Sequence, residues 1–312
     1  MGDWSTIICW RREQNNINFL KSIRYSQNFI ANSSLVKDLV RKSSMSKDDV
    51  VYEIGPGTGV ITRELAKQCK KVIAVEIDNN LTQKLKEKFS ATLNIEIQRG
   101  DFLNYSISEP KYKVFSNIPF NITADIIKKL TGLKNPPLDA FLFVQKEAAE
   151  KFIGQPLTKE TQASILLKSS FELSVVHKFK KTDFRPVPGV DIVLLRILKR
   201  SRPLIETKNL QLYRDFITYV FNSQKPVLKQ GLKKIFTNYQ FSRLAKDLKF
   251  PESAKPTDLD FSQWLGLFDF FLKGTDVSKK LLIRSSEDVL RNQQSKLQKV
   301  HRTRVAKNWR DS

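Results

Sequence analysis

Cysteine and histidine are scarce in this sequence, each occurring twice in 312 residues. Cys9, Cys69, His177 and His301 are too few and too dispersed to form a CxxC-type zinc site or a disulfide framework. No apolar run reaches the roughly 18 residues that a membrane-spanning helix needs. The short apolar patch 7–10 is followed by two arginines, which is the wrong order for a secretory signal. We therefore expect a soluble, cytoplasmic and metal-free protein.

Basic residues strongly outnumber acidic ones, with 54 Lys and Arg against 32 Asp and Glu and a net charge of +22. A hydrophobic fraction of 40% can form a sizeable core, so wholesale disorder is not expected. The charge does not report on the fold, but it indicates a polyanionic partner. Nucleic acid is the first expectation, and an acidic membrane surface is the second.

Short β-rich runs alternate with amphipathic stretches from residue 50 onward. The predicted strands are residues 50–54, 72–77, 95–98, 113–116 and 140–144, and the predicted helices between them are residues 62–69, 80–89 and 123–130. Apolar strands separated by helices are typical of a parallel sheet that helices cover on both faces. Two later β-rich runs, 173–179 and 190–198, lack a helix between them and are expected to pair antiparallel at the sheet edge. The predicted fold class is therefore α/β.

Large apolar residues fall at helical spacing after residue 200, which indicates a small all-helical domain. The two stripes, expected to form its core, are Tyr213, Phe216, Ile217, Val220 and Phe221, and then Phe261, Trp264, Leu265, Phe268 and Leu272. The predicted organisation is an N-terminal arm (1–24), an α/β domain (25–200), a helical domain (201–272) and a basic tail (273–312). The tail has eleven Lys or Arg against four Asp or Glu, and part of it, about 285–300, is expected to be helical.

A glycine-rich turn joins the first predicted strand to the helix after it. Gly55, Gly57 and Gly59 allow a tight turn and let a ligand approach the backbone without obstruction by Cβ atoms. The order is GxGxG rather than the GxGxxG of dinucleotide sites. Glu53 lies two residues before the first glycine, where a carboxylate repels phosphate but suits a cationic amino-acid group. The alternative is a plain strand-to-helix turn.

Two further acidic residues follow the next two strands. Glu76 ends the second strand, where its carboxylate can accept hydrogen bonds from both hydroxyls of a ribose. Asp101 follows the third strand and can accept from an adenine amino group, with Phe102 or Ile77 against the ring. A ligand with an ammonium, a sulfonium, a ribose and an adenine but no phosphate is S-adenosylmethionine. The turn and both carboxylates together predict this cofactor, although each alone also fits a solvated strand end.

The segment SNIPF, residues 116–120, follows the fourth predicted strand. At this position in an open parallel sheet the loop overhangs the ligand crevice. The side-chain oxygen of Asn117 and a backbone carbonyl beside Pro119 can accept hydrogen bonds from the exocyclic amine of a base, whose lone pair is otherwise delocalised into the ring. Phe120 offers a flat face on which an extruded base can stack. These features predict methyl transfer to a base amine; the alternative is an ordinary turn with Phe120 in the core.

Five segments resemble the rRNA adenine-N6 dimethyltransferases. They are SQNFI (26–30), EIGPGTG (53–59), VEID (75–78), GDF (100–102) and NIPFNIT (117–123). Three more resemble the Erm branch of that family, the macrolide–lincosamide–streptogramin B resistance methyltransferases. They are DFRPVPGVD (183–191), KKIFTNYQ (233–240) and FSQWL (261–265). The resemblance covers about residues 24–273.

This resemblance implies a Rossmann-like, S-adenosylmethionine-dependent methyltransferase domain and a small helical domain that helps to hold rRNA. The main hypothesis is N6-(di)methylation of one adenine in the peptidyl-transferase region of 23S rRNA, naked or in an immature large subunit, by a monomer. Such methylation would confer resistance to macrolide, lincosamide and streptogramin B antibiotics. The alternative is the housekeeping 16S rRNA adenine dimethyltransferase of ribosome biogenesis, which shares the cofactor motifs. A nucleic-acid-binding factor without activity is a third hypothesis, and the intact motifs argue against it.

The resemblance also implies roles for individual residues. The cofactor site would comprise Gln27, Asn28, Ile30, Gly55, Glu76, Ile77, Asp101, Phe102 and Asn117. Gln27, Asn28 and Ile30 would cover the methionine end of the cofactor, and Gly55 would pack against its backbone. The catalytic residues would be Asn117 and Phe120, which would act on the target base. Many relatives have Tyr at the position of Phe120, so here the stacking face is kept and any role of a hydroxyl is lost.

Overall fold

The computed structural model describes residues 28–132 and 134–296. The predicted N-terminal arm, Gln27 and the end of the predicted tail lie outside these ranges. The strands are β1 (Phe29–Ile30), β2 (Val50–Ile54), β3 (Lys71–Glu76), β4 (Ile95–Arg99), β5 (Lys113–Asn117), β6 (Asp139–Gln145), β7 (Phe171–Lys178), β8 (Phe184–Arg185) and β9 (Ile192–Lys199). They form a seven-stranded sheet in the order β4-β3-β2-β5-β6-β9-β7 and a separate two-stranded sheet, β1-β8.

The central strands are parallel, as predicted. β2 pairs in parallel with both β3 and β5, β3 pairs with β4, and β5 pairs with β6. The two late strands β7 and β9 are neighbours at one edge of the sheet. From β2 the chain runs outward through β3 to β4 and then returns to the other side of β2 as β5. In open α/β sheets this reversal opens a crevice at the carboxyl ends of the strands.

Helices connect and cover the strands. They are α1 (Ser33–Lys42), α2 (Val60–Gln68), α3 (Asn79–Lys88), α4 (Thr123–Gly132), α5 (Lys146–Ile153), α6 (Gln162–Lys168), α7 (Thr207–Phe221), α8 (Leu228–Leu232), α9 (Asn238–Asp247), α10 (Phe261–Gly274), α11 (Val277–Ile283) and α12 (Ser286–Lys296). Side chains cap several helix starts; Asp78, for example, accepts hydrogen bonds from the backbone N–H groups of Asn80 and Leu81. Within the described ranges no helix is both long and apolar enough to cross a bilayer.

Contacts between residues divide the described chain into two compact units. The first contains residues 28–146 and 175–196, and its core includes Val51, Val72, Phe115, Phe143 and Leu194. The second contains residues 147–174 and 197–296. The division differs from the predicted boundary after residue 200, because α5 and α6 belong to the second unit. Neither helix was predicted, since both are short.

The second unit has an aromatic core. Both predicted apolar stripes contribute to it, and Tyr213, Phe216, Trp264 and Phe268 are buried there. The ring of Phe216 stacks on that of Phe271 with 4.8 Å between centroids. Aromatic pairs of this kind add stability beyond the area that they bury. The prediction of a helical core from these stripes is confirmed.

The described part of the predicted tail is folded. α11 and α12 both contact α7, and Ile283 at the end of α11 is completely buried in the core of the second unit. Glu287 in α12 accepts hydrogen bonds from the guanidinium of Arg214 in α7. The helix expected at about 285–300 is present as α12 over residues 286–296, whereas α11 was not predicted.

Candidate active site

Three adjacent strands bring the predicted site residues to one edge of the sheet. β3, β2 and β5 are neighbours, and Glu76, Gly55 and Asn117 lie at or directly after their carboxyl ends. The backbone N–H of Gly55 donates to the carbonyl of Val75 at 2.9 Å, which fixes the start of the glycine turn against β3. The expected crevice therefore has the glycine turn, one carboxylate and the Asn117 loop around it.

The glycine turn uses backbone angles that other residues rarely adopt. Gly55 and Gly57 have φ values of +62° and +57°. A Cβ atom on Gly55 would meet nothing within 4 Å, so the backbone here is open to a ligand. A Cβ atom on Gly57 would lie 2.5 Å from the ring of Phe29, so this glycine is needed for packing. Close approach of a ligand is thus possible at Gly55.

Glu76 is buried and holds the glycine turn. Its carboxylate accepts hydrogen bonds from the backbone N–H of Gly57 at 3.3 Å and from that of Asp78 at 3.0 Å. Burial raises the pKa of this carboxyl, and the backbone hydrogen bonds partly oppose the shift. Each carboxylate oxygen has a second lone pair, so Glu76 can accept further hydrogen bonds from a ligand.

Glu53 is a second buried carboxyl beside Glu76. It is 1% exposed and accepts a hydrogen bond from the hydroxyl of Thr62 at 2.6 Å. Burial, with a smaller contribution from the Glu76 charge, raises the pKa of Glu53 to about 8. A cation bound between the two carboxyls would favour their charged forms. In the part of the chain that the structure describes, no cluster of three His, Cys, Asp or Glu could hold a metal ion.

Asp101 lies after β4, at the position expected of it. Its carboxylate accepts from the backbone N–H of Leu103 at 3.0 Å and from the side-chain amide of Asn104 at 2.6 Å. These local hydrogen bonds orient the carboxylate in the loop. Asp101 is partly exposed, so it remains accessible to a ligand.

Phe102 and Ile77, the two residues predicted to lie against the adenine ring, differ in their surroundings. Phe102 is 4% exposed, its ring stacks on that of Tyr105, and the ammonium of Lys129 lies 5.0 Å from its centroid. The ring is therefore occupied by these neighbours. Ile77 is only partly buried and keeps surface that a ligand ring could cover. Ile77 therefore leaves more surface open to a ligand than Phe102 does.

The last two residues of β5, where the SNIPF segment begins, are anchored on both sides. The amide nitrogen of Asn117 donates to the backbone carbonyl of Asn28 at 2.7 Å. The hydroxyl of Ser116 donates to the carbonyl of Ile54 at 2.6 Å and accepts from the N–H of Ile54 at 3.1 Å. Ser116 therefore ties the loop to the residue before the glycine turn. Sequence reasoning missed this role, although Ser116 is the first residue of the SNIPF segment.

A small pocket brings several predicted residues together. It is lined by Asn28, Phe29, Gly55, Asn117, Ile118, Pro119 and Phe120. Phe120 is partly buried, and its ring also packs against the core of the first unit. Ile30 is buried in that core rather than in the pocket. The pocket therefore joins the predicted base-handling residues to Gly55 and Asn28 of the predicted cofactor site.

Asn28 directly precedes β1, a strand that Asp183 helps to hold in place. β1 pairs antiparallel with β8, and the N–H of Ala31 donates to the carbonyl of Asp183 at 2.8 Å. The Asp183 carboxylate accepts from the side-chain amide of Asn32 at 3.1 Å and from the N–H of Lys180 at 2.9 Å. Sequence reasoning noted Asp183 only as part of a resembling segment and gave it no role.

Comparisons with known proteins agree with this arrangement. Residues 18–273 match the family model described as ribosomal RNA adenine dimethylase. A "Ribosomal RNA small subunit methyltransferase A" of Nostoc punctiforme is 34% identical over 70% of this chain and 82% of its own length. An "rRNA adenine N-6-methyltransferase" of Bacteroides fragilis is 32% identical over 78% of this chain and 90% of its own length.

A solved structure supports the same assignment. The 23S rRNA methyltransferase ErmE superposes with a TM-score of 0.73 at 26% identity, over 79% of this chain and 100% of its own. The open backbone at Gly55 and the acceptors Glu76 and Asp101 fit S-adenosylmethionine, the cofactor expected from the sequence. The chain therefore belongs to the ribosomal RNA adenine dimethylase family, and it is an S-adenosylmethionine-dependent rRNA adenine methyltransferase with a Rossmann-like fold.

Proposed function

We propose that this enzyme methylates the N6 amine of an adenine in small-subunit rRNA, as a step of ribosome biogenesis. Relatives named for the small subunit predominate among the similar curated proteins, and several align over more than nine-tenths of their own length. The sequence analysis placed this function second, behind methylation of 23S rRNA. The names of the relatives support the opposite order.

Methylation of 23S rRNA with resistance to macrolide, lincosamide and streptogramin B antibiotics is the second candidate. The extent of the superposition with the 23S rRNA methyltransferase ErmE favours it. The three segments that resemble the Erm branch point the same way. The cofactor motifs do not separate the candidates, because both reactions use the same methyl donor.

The Asn117–Asn28 hydrogen bond is the observation that carries the catalytic proposal. Because the Asn117 amide nitrogen donates to the Asn28 carbonyl, the side-chain oxygen of Asn117 is left as an acceptor at the pocket. This oxygen and a backbone carbonyl beside Pro119 would accept hydrogen bonds from the target amine. Two acceptors favour a tetrahedral nitrogen, whose lone pair is available for bond formation.

Phe120 would stack the extruded adenine at the same pocket. When bound, S-adenosylmethionine supplies an electrophilic methyl group. The nitrogen becomes acidic once it is alkylated and then loses a proton, so the site needs no strong general base.

The remaining predicted residues would bind the cofactor. Glu76 would accept from the ribose hydroxyls and Asp101 from the adenine amine, with Ile77 against the ring. Gly55 and Asn28 would lie along the methionine end, near the buried Glu53. Gln27 is proposed to cover the same end and lies outside the described residues, as do the predictions for the N-terminal arm. A monomeric state and a cytoplasmic location also stay predictions.

Primer extension on rRNA from cells that express the enzyme tests the proposal. Dimethylation of N6 blocks base pairing, so reverse transcriptase stops at the modified adenine. A new stop near the 3′ end of small-subunit rRNA supports the main proposal. A stop in the peptidyl-transferase loop of 23S rRNA supports the second candidate instead. An Asn117→Ala variant is the matched control, because it keeps the predicted cofactor carboxylates and should give no stop at either place.

A further inference from the structure

The second unit contains a groove that no predicted site includes. It encloses about 470 Å³, and its walls come from α7, α8 and the segment after α10. The wall on α7 and α8 lies within the family match, which ends at residue 273, whereas the opposite wall, residues 282–293, lies beyond it. The groove therefore depends on a segment that the family match does not include.

The wall beyond residue 273 is fixed by specific contacts. The guanidinium of Arg214 makes two hydrogen bonds to the carboxylate of Glu287, one of them 2.8 Å long. Asp215 accepts from the backbone N–H of Glu287 at 2.9 Å, at the start of α12. Ile283, the last residue of α11, is completely buried. A wall anchored in this way is a stable surface of the folded unit.

Every charged side chain that lines the groove is basic. Lys225, Lys233, Lys234 and Arg284 line it and are exposed, and none of the lining residues is acidic. No carboxylate of residues 28–132 or 134–296 forms an ion pair with any of these four. Elsewhere in the same unit many basic side chains are paired, as Lys229 is with Glu252. Clefts lined by one sign of charge attract ligands of the opposite sign.

The remaining lining residues suit a nucleotide chain. Asn222, Gln230 and Gln293 carry amides that can bond phosphate, sugar or base, and the partly buried Tyr219 offers an aromatic face. Sites for single-stranded nucleic acid usually combine aromatic side chains, on which bases stack, with basic side chains that contact the nucleic-acid backbone. The volume lies in the range of small-molecule pockets, which accommodates a short single-stranded stretch.

We propose that this groove is an accessory site for single-stranded RNA, with phosphates on Lys233, Lys234 and Arg284 and a base on Tyr219. That the RNA is a segment of the rRNA substrate rests on the proposed function. The site would hold substrate at a surface separate from the pocket beside Asn117. The competing occupant is an acidic protein segment, which would bind through its negative charge alone.

Anisotropy of a fluorescein-labelled oligouridylate tests the groove in the full-length protein. The variant Lys234→Gln/Arg284→Gln removes one cation from each wall, and Arg243→Gln/Lys246→Gln removes the same charge from α9, outside the groove. We expect the groove variant to bind roughly tenfold more weakly than the parent. The slope of the logarithm of affinity against the logarithm of salt concentration should also be less steep, by about 0.7 for each lost phosphate contact. Equal effects of both variants, or none, would overturn the proposal.

Photocrosslinking with a 4-thiouridine oligonucleotide identifies the contact surface directly. Crosslinked peptides should contain Tyr219 or residues from 282–293, and polyglutamate of equal charge should compete poorly. If polyglutamate competes as well as RNA, or crosslinks avoid both walls, the groove is not an RNA site. Groove crosslinks in a protein that methylates no rRNA would support this site and reject the proposed function. Methylation without groove crosslinks would reject this site alone.

Discussion

Phe120 lines the small pocket beside Asn117 and also packs against the core of the first unit. Substitution can separate these two roles. Phe120→Ala should lower the rate of methyl transfer by roughly tenfold to a hundredfold, because stacking of a base on an aromatic ring contributes about 1–3 kcal/mol. Phe120→Tyr keeps the ring face and should be mild. Single-turnover assays with an rRNA fragment measure both effects, and cofactor affinity should change little. A parental rate in Phe120→Ala would assign the ring to core packing.

Glu53 should make the stability of the fold depend on pH. Its pKa is raised from 4.5 to about 8 in the folded protein, mainly by burial. The folded state therefore binds a proton that the unfolded state releases between these values, so the contribution of Glu53 to stability falls as pH rises from about 4.5 to about 8. Glu53→Gln keeps an acceptor for Thr62 and cannot ionise, so it should remove this dependence.

Urea denaturation of both proteins at pH 5 and pH 8, without cofactor, measures the effect. The stability of Glu53→Gln relative to the parent should rise between the two pH values. A difference that is constant with pH would show that Glu53 is charged in the folded state across this range. The substitution Glu87→Gln, at an exposed position in α3, is the control for the loss of a carboxylate.

At the scale of elements, the two-residue strand β1 depends on Asp183. The Asp183 carboxylate links Asn32, just after β1, to Lys180, and β1 is preceded by the carbonyl that binds Asn117. Asp183→Ala should therefore loosen β1 and release the Asn117 amide. We expect kcat to fall roughly tenfold or more, since small misplacements of catalytic groups are costly. Amide hydrogen exchange of residues 29–31 should accelerate.

Asp191→Ala is the matched control for Asp183→Ala. Asp191 lies in the same segment, and its exposed carboxylate forms a 3.7 Å ion pair with Lys181. Its removal should leave kcat and the exchange of β1 unchanged. If Asp183→Ala shows normal exchange in β1 with reduced kcat, Asp183 does not act through this strand.

The limits of sequence reasoning are visible in these elements. Strands β2 to β6 could be predicted because a buried strand and an amphipathic helix leave local patterns in the sequence. The contacts that position the site have no such pattern: Asn32 and Asp183 are 151 residues apart, and Asn28 and Asn117 are 89 apart. Motif spacing located Gly55, Glu76 and Asn117, whereas Ser116 and Asp183 needed the folded chain.

The packing of helix α12 shows the same limit: a helix was expected here, but its contact with Arg214, 73 residues away, was not, and this contact gives a further prediction. Burial raises the pKa of Glu287, but the hydrogen bonds and charge of Arg214 outweigh it, and the pKa is lowered overall. A lowered pKa means that the stabilisation is present above the unfolded value near 4.5 and is lost as pH falls through the folded value. Glu287→Gln should therefore destabilise the protein at pH 7 by about 1–3 kcal/mol, and less at lower pH.

The neighbouring Asp288→Asn is the control for Glu287→Gln. Asp288 forms an exposed ion pair with Arg291 at 3.3 Å, and such pairs contribute about 0–1 kcal/mol. Chemical denaturation of both variants at pH 7 and pH 4 makes the comparison. Equal effects of the two substitutions would mean that α12 is not held by the Arg214–Glu287 pair.

At the scale of the whole molecule, the choice of rRNA is separate from the chemistry. The roles proposed for Glu76, Asp101 and Asn117 concern the cofactor and the target amine, which are the same for both rRNA candidates. Selection of one adenine must therefore come from surfaces that contact the surrounding RNA. The net charge of +22 is the main sequence feature relevant to those surfaces.

Counterion release gives the last prediction. Each phosphate contact that a basic side chain makes releases condensed cations, and the logarithm of affinity should fall with the logarithm of salt by roughly 0.7 to 0.9 per contact. With a net charge of +22, we expect several contacts and hence a steep slope for an rRNA fragment. Filter binding across a salt series measures it, with calorimetry of S-adenosylmethionine as the control, because a ligand without phosphates should show a shallow dependence. Similar shallow slopes for both ligands would mean that the basic surface does not contact the RNA backbone.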